Sequence, residues 1–252
     1  MKWILSRESI EVVEQFAWSK VLVALDFDGT LAPIVGDRDQ AFMRRETHVL
    51  LDKLAQVYPL VIISGRSRED VSARLGGISV RQVVGNHGLE PTETMDSFEE
   101  DTRHILPQLR EALGGFFGVD IEDKRYSLAV HYRRSRAKQA TRVAIQNAIE
   151  KLDRPMRIVL GKLVVNAIPD RAPHKGDALI ALRRREGMDT ALYVGDDVTD
   201  EDVFELDQPG RLLSIRVGHS RRSAAPYYLR DQNEMDQLLR TLIAFRTKSP
   251  LP

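Results

Sequence analysis

Val21-Leu22-Val23-Ala24-Leu25 runs directly into Asp26-Phe27-Asp28-Gly29-Thr30-Leu31, and this stretch decides the reading of the chain. An unbroken apolar run that stops at a carboxylate suits a strand buried on both faces, as in a parallel sheet. The pattern recurs. Leu60-Val61-Ile62-Ile63 stops at Ser64, and Ala191-Leu192-Tyr193-Val194 stops at Gly195-Asp196. Helical patterns lie between: residues 42–57 carry Val49, Leu50, Leu51 and Leu54, and residues 176–186 carry Ala178, Leu179, Ala181 and Leu182. Strands alternating with helices predict an open α/β sheet of the Rossmann-like kind. Such sheets bind ligands outside the carboxyl ends of their strands. The polar residues that stop the three runs are therefore expected along one edge, although they are far apart in sequence.

The middle of the chain has a different rhythm. Residues 97–113 read as a helix with Phe98, Ile105, Leu109 and Leu113 on its apolar side. Residues 119–121 and 127–132 read as strands, and residues 136–152 as another helix. Residues 157–160 and 163–168 read as a β-hairpin turning at Gly161-Lys162. The expected organisation is an α/β core of residues 1–96 and 171–252, interrupted by an inserted α+β domain over 97–170.

Composition narrows the function classes. The chain has 252 residues, enough for one large domain or a domain carrying a smaller one. Hydrophobic residues make up 42% and charged residues 29%, which suits a packed core rather than disorder. Lys+Arg and Asp+Glu are both 37, so the overall basic footprint of a nucleic-acid binder is missing. Cysteine is absent, which excludes disulfides, thiolate metal sites and a Cys nucleophile. The longest apolar stretch, residues 54–63, is broken by Gln56, Tyr58 and Pro59, far short of the ~18 residues of a membrane helix. Trp3-Ile4-Leu5 is too short for a secretory signal before Arg7 and Glu8. The expectation is a soluble cytoplasmic protein with neither membrane nor nucleic acid as a partner.

Four motifs carry the chemistry. Asp26 and Asp28 follow a buried strand two residues apart, and Gly29 permits a tight turn. In that arrangement one carboxylate can attack phosphorus while the other manages protons. Gly195-Asp196-Asp197-Val198-Thr199-Asp200-Glu201-Asp202 holds five acids in the seven residues from Asp196. A helix N-terminus accounts for one or two of them; a hard divalent cation, with Mg2+ fitting best, would relieve the rest. Ser64-Gly65-Arg66 can hold a phosphate, and Ser64 can equally cap the helix expected after it. Lys175, in Pro173-His174-Lys175-Gly176, can neutralise a phosphate and steady Asp26.

Taken in order, D-F-D-G-T-L, S-G-R, H-K-G and G-D-D-x-T-D-E resemble the haloacid dehalogenase superfamily of phosphohydrolases, and within it the trehalose-6-phosphate phosphatase family. Gly85-Asn86-His87-Gly88-Leu89-Glu90, Glu122-Asp123-Lys124 and Ser127-Leu128-Ala129-Val130-His131-Tyr132-Arg133 extend the resemblance, which runs from about residue 21 to 245. It implies a hydrolase core with an inserted cap domain, Asp26 as nucleophile through an aspartyl-phosphate, and Asp28 as acid and base. It implies Mg2+ held by Asp26, the Asp28 carbonyl and Asp196, with Asp200 close by. It implies Ser64 and Lys175 on the phosphoryl oxygens, and substrate contacts from Arg66, Glu122, Lys124, Arg133 and Lys162. A small-molecule sugar phosphate is the implied partner, and a synthase acting with it would be a separate chain.

One segment departs from the family pattern. Where the family usually carries a Glu and then an Arg-Pro, this chain has Asn166 and Ile168 in Leu163-Val164-Val165-Asn166-Ala167-Ile168-Pro169. Asn166 can still hydrogen-bond a sugar hydroxyl, without charge. The departure bears on the identity of the sugar, since sites built around particular hydroxyls discriminate strongly. Three functions follow in order: release of trehalose from trehalose 6-phosphate, hydrolysis of another sugar or glycoside phosphate, and a catalytically silent sugar-phosphate sensor. A phosphomutase can use the same aspartyl-phosphate; the cap resemblance favours hydrolysis.

Overall fold

A computed structural model of the chain describes residues 1–36, 38–91, 95–206 and 208–247. The chain begins with β1 (Lys2–Trp3), α1 (Ile10–Trp18), β2 (Val21–Leu25), α2 (Arg45–Val57), β3 (Leu60–Ile63), α3 (Arg68–Arg74) and β4 (Gln82–Val84). It continues through α4 (Met95–Leu113), β5 (Asp120–Asp123), β6 (Leu128–His131), α5 (Lys138–Glu150), β7 (Met156–Gly161) and β8 (Val164–Pro169). It ends with α6 (Lys175–Arg185), β9 (Thr190–Gly195), α7 (Glu201–Phe204), β10 (Leu212–Val217), β11 (Tyr227–Leu229) and α8 (Met235–Thr247). Two compact units result: Met1–Gly88 with His174–Pro252, and Leu89–Pro173.

The first unit is built on a seven-stranded parallel sheet in the order β1-β11-β10-β9-β2-β3-β4. Its central strands are apolar throughout because both faces are covered. Val21, Val23 and Leu25 join Leu60 and Ile62 in one core with residues of α1, α2, α3 and α8. Leu22, Ala24, Val61 and Ile63 point the other way, into a second core with α6 and α7. From β2 the chain builds outward through β3 and β4, and later from β9 through β10 and β11. The order therefore reverses between β2 and β9, and the crevice beyond the carboxyl ends of strands at such a switch point is where open α/β sheets bind ligands.

The second unit is an antiparallel sheet, β5-β6-β8-β7, backed by α4 and α5. Leu128, Val130, Val165 and Ala167 are buried on its helix-facing side with Ile105, Leu109, Ile145 and Ile149. Its limits are wider than the 97–170 expected from sequence. Leu89 and Ala172 are buried in one apolar cluster with Phe98 and Ile168, so both flanks belong to this unit. The hairpin turn also moves by one residue. Gly161 pairs with Val164, leaving Lys162-Leu163 as the turn rather than Gly161-Lys162. Burial of Val165 and Ala167 sets this register, because a one-residue slip would turn both to the opposite face. Leu163 consequently takes φ +64, a conformation usually left to glycine, while its side chain packs on the same core.

Candidate active site

The turn after β2 and the turn after β9 interlock. Asp26 follows β2, and Asp196 follows β9, its neighbour in the sheet. Gly29 takes φ +79, and a Cβ built there would lie 2.1 Å from Asp196 Oδ2. Only a residue without a side chain lets the two turns approach so closely. Gly195 does the same for the acidic loop, since its Cβ would meet Asp200 Cγ at 2.3 Å. Asp200 therefore folds back over the strand end. Its Oδ2 accepts from the backbone N–H of Asp196 at 2.8 Å and of Asp197 at 2.9 Å. Its Oδ1 accepts from the Tyr193 hydroxyl at 2.6 Å and from Lys175 Nζ at 2.7 Å.

Lys175, the first residue of α6, is fully buried and bridges the cluster, donating also to Asp26 Oδ1 at 2.9 Å. His174 and Asp177 cap the helix reciprocally and fix the direction in which the lysine leaves it. Burial alone would lower the Lys175 ammonium, but the Asp200 and Asp26 carboxylates outweigh it and hold it above its ordinary value. Burial pushes Asp26 up to about 8; Lys175 opposes the rise, and Asp200 and Asp28 add to it. Asp196 is pushed up to about 9, by burial first and then by Asp26, Asp200 and Asp197.

Asp26, Asp196 and Asp200 can each offer an oxygen within 4.8 Å of the others. Among the described residues, Lys175 is the one cation hydrogen-bonded to this cluster of three acids, which leaves it short of positive charge. Asp196 Oδ1 is buried and has no hydrogen-bond partner among the described residues. Both Asp200 oxygens are already engaged, which leaves Asp26 and Asp196 as the better donors to an added ion. Hard oxygen donors, a deficit of positive charge and an unused buried oxygen together fit a metal site.

Asp28 stands apart from this cluster. Its carboxylate is half exposed and takes a two-point ion pair from Arg66, Nε to Oδ2 at 2.6 Å and Nη2 to Oδ1 at 2.8 Å. Burial would lower the Arg66 guanidinium, but Asp28 and Asp70 outweigh it and raise it. Ser64 is fully buried at the end of β3, beside β2, and its Oγ accepts from the Arg66 N–H at 3.2 Å. The helix cap is Ser67, whose Oγ accepts from Asp70 N, so Ser64 is not used for that purpose.

In the second unit, Glu122, Ala129, Asn166 and Val159 lie in one row across the four strands, on the face opposite Leu128, Val130, Val165 and Ala167. Glu122 pairs with His131 at 2.9 Å, and Lys124 Nζ reaches Asn166 Oδ1 at 3.5 Å. Asn166 is buried and donates to the Val159 carbonyl at 3.2 Å. Arg133 lies just past β6, and Lys162 in the β7–β8 turn; both are exposed and stand at one end of this sheet.

The family model for trehalose-phosphatase matches residues 24–233. This chain belongs to the trehalose-phosphatase family. A trehalose-phosphate phosphatase of Mycolicibacterium paratuberculosis is 34% identical over 209 residues, covering 77% of this chain and 53% of the relative. Trehalose-phosphate phosphatase B of Arabidopsis thaliana is 28% identical, covering 95% and 70%. The chain thus spans about half the length of the mycobacterial relatives it matches. The structure of the C. albicans trehalose-6-phosphate phosphatase C-terminal domain superposes with a TM-score of 0.77 over 97% of this chain and 99% of that one, at 21% identity, which places the two in one fold.

Within this trehalose-phosphatase fold, some contributors lie outside the sequence reading. Tyr193 sits in an apolar run and reads as core, yet its hydroxyl holds Asp200. His131, named in the sequence only within the 127–133 strand, pairs with Glu122. A buried tyrosine needs a partner for its hydroxyl, and that requirement was the available signal.

Proposed function

We propose that the chain is a Mg2+-dependent sugar-phosphate phosphatase and that its substrate is trehalose 6-phosphate. The observation that carries this reading is the meeting of Asp26, Asp196, Asp200 and Lys175 at the switch point of a parallel sheet. Asp26 attacks phosphorus in line, forming an O–P bond as the bond from phosphorus to the sugar oxygen breaks. Asp28 first leaves its ion pair with Arg66 and takes up a proton, which it gives to that leaving oxygen. Asp28 then takes a proton from water, whose oxygen attacks phosphorus and releases Asp26 and inorganic phosphate. Lys175 and Ser64 neutralise and orient the phosphoryl oxygens. Asp26 and Asp196 would hold the ion, with the Asp28 carbonyl and Asp200 beside them; when bound, it supplies positive charge to the phosphoryl group and the nucleophile.

Glu122, Lys124, Arg133, Lys162 and Asn166 select the sugar in this reading. A disaccharide offers many hydroxyls and little charge, which suits a polar face carrying both signs and an amide. The uncharged Asn166 supports a second reading, another sugar or glycoside phosphate as substrate. Family membership favours an enzyme over a silent regulatory protein, and the reading places it in the cytoplasm, with any synthase partner a separate chain.

The test is release of inorganic phosphate from a panel of disaccharide and hexose phosphates, with Mg2+ and with chelator. Preferred turnover of trehalose 6-phosphate, lost on chelation, supports the proposal. Faster turnover of another sugar phosphate moves the assignment to the second reading. No release from any member of the panel removes the enzymatic reading.

A further inference from the structure

The chain carries no net charge, yet residues 124–149 contain seven Lys and Arg and no acid. Arg134, Arg136 and Lys138 stand together between β6 and the first turn of α5, and all three are exposed. Their placement works against the helix. The first turn of α5 holds Lys138 and no acid, and Ala137 before it offers no side-chain cap; cations at a helix N-terminus are unfavourable. A second loop lies against this one. Gly118 takes φ +78, and a Cβ there would lie 2.4 Å from the Arg134 carbonyl carbon, so the two loops touch backbone to backbone. That second loop is Gly114-Gly115-Phe116-Phe117-Gly118, and it holds Phe117 78% exposed and Phe116 41% exposed. Ala140 and Val143, three apart on α5, are exposed as well. Glu111 and Asp120, exposed on the flanks of the phenylalanine loop, offset part of the positive charge.

We propose that this corner of the second unit docks on a membrane leaflet rich in anionic lipid. Phe116 and Phe117 enter the interface, while Arg134, Arg136 and Lys138 face the headgroups. Charge complementarity carries the choice of partner. Near an anionic leaflet each Lys or Arg strengthens attachment about five-fold, so three of them supply ~100-fold. The two phenylalanines add what charge alone does not, an apolar wedge at the level of the headgroups. A nucleic-acid strand also combines cations with aromatic rings. The strip of Ala140 and Val143 offers no ring for a base to stack on and no group to read a base edge. Small apolar side chains flanked by long cations suit a lipid interface instead. The sequence expectation of no membrane partner came from the missing span, and a peripheral surface needs no helix long and apolar enough to cross a bilayer.

The test is flotation of the full chain with vesicles of phosphatidylcholine alone and of an equal mixture of phosphatidylcholine and phosphatidylserine. The mixed vesicles should bind at least ~10-fold more tightly than the neutral ones, and added salt should weaken that preference. Combining Arg134→Gln, Arg136→Gln and Lys138→Gln should weaken binding to the mixed vesicles ~100-fold. Phe117→Ser should weaken it ~10-fold through lost apolar burial. Arg133 and Lys162 stay intact in these variants because the proposed function uses them. All four replaced side chains are exposed, so tryptophan fluorescence should match the wild type. Where the triple variant does not fold, Val143→Glu on the apolar strip takes its place and should weaken binding ~10-fold. No binding to the mixed vesicles would overturn the proposal. So would equal binding to both kinds of vesicle, or wild-type affinity in Phe117→Ser or in the charge variant. Tighter binding to a single-stranded oligonucleotide, lost in the same variants, would overturn it in favour of nucleic acid. Phe117-dependent self-association without lipid would overturn it in favour of a second copy of the chain.

Discussion

Replacing Lys175 with Met should do more damage than any surface change. Nζ lies 2.9 Å from Asp26 Oδ1 and 2.7 Å from Asp200 Oδ1, in a site where all three side chains are buried. Methionine keeps most of the stem packing, so the loss is electrostatic. Removing one partner of a buried ion pair costs about 3–5 kcal/mol. At ~2–4 °C per kcal/mol for a chain of this length, that lowers Tm by roughly 6–20 °C. The loss should be complete at neutral pH. The folded-state value of Lys175 is raised, so its contribution is fully present below the unfolded value of about 10.4 and fades only above it. A divalent cation should stabilise the variant more than the wild type, because it then enters a cluster with one positive charge fewer. Both tryptophans, Trp3 and Trp18, lie in the unit that holds Lys175, so their fluorescence follows its unfolding alone. Lys162→Met, at an exposed position, is the control and should stay within ~0.5 kcal/mol. A Lys175→Met loss below ~1 kcal/mol, or a cation response no larger than in wild type, would refute the bridging role.

Three further outcomes follow from the same geometry. Gly29→Ala should reduce phosphate release more than ~10-fold while the tryptophan-reported fold persists, because its Cβ would displace Asp196, and a shift of that order at a catalytic centre carries such a penalty; near-normal turnover would contradict the interlocked turns. Tyr193→Phe should cost about 1.5–3 kcal/mol, the range for a buried hydrogen bond to a charged acceptor, measured by denaturant unfolding; a neutral result would show that Asp200 does not depend on it. In chelator, Asp26 and Asp196 bind more protons in the folded protein than in the unfolded one between the ordinary carboxylate value of 3.8 and their raised values of about 8 and about 9. These two groups therefore favour the fold at low pH, and their contribution falls as pH rises through that window; Mg2+ should flatten the fall, and a Mg2+-independent profile would argue against a metal at this cluster.

The edge of the sheet was readable because buried strands announce themselves. Unbroken apolar runs ending at Asp26, Ser64 and Asp196 required a two-sided sheet, and the topology then brought their ends together. Lys175 was legible through the helix start that carries it. What happens past a turn was not. Strand periodicity says nothing about where the Asp28 side chain points once Gly29 has reversed the chain, so its capture by Arg66 needed coordinates. Strands β1, β4, β10 and β11 and helices α1 and α8 also go beyond the patterned elements. β1, β4 and β11 are two or three residues long, and the Leu212–Val217 strand mixes Ser214 and Arg216 into its apolar run. In the second unit, register was set by the burial of Val165 and Ala167, a tertiary demand that moved the turn onto a residue unsuited to it by conformation.

The central claim is that Asp26 itself attacks phosphorus, and acid quenching during turnover tests it most directly. Peptide mass mapping of the quenched enzyme should find one phosphoryl group on the peptide containing Asp26, labile to hydroxylamine and missing from an Asp26→Asn variant that still folds. Full turnover by that variant, or a phosphoryl group mapped elsewhere, would contradict the account.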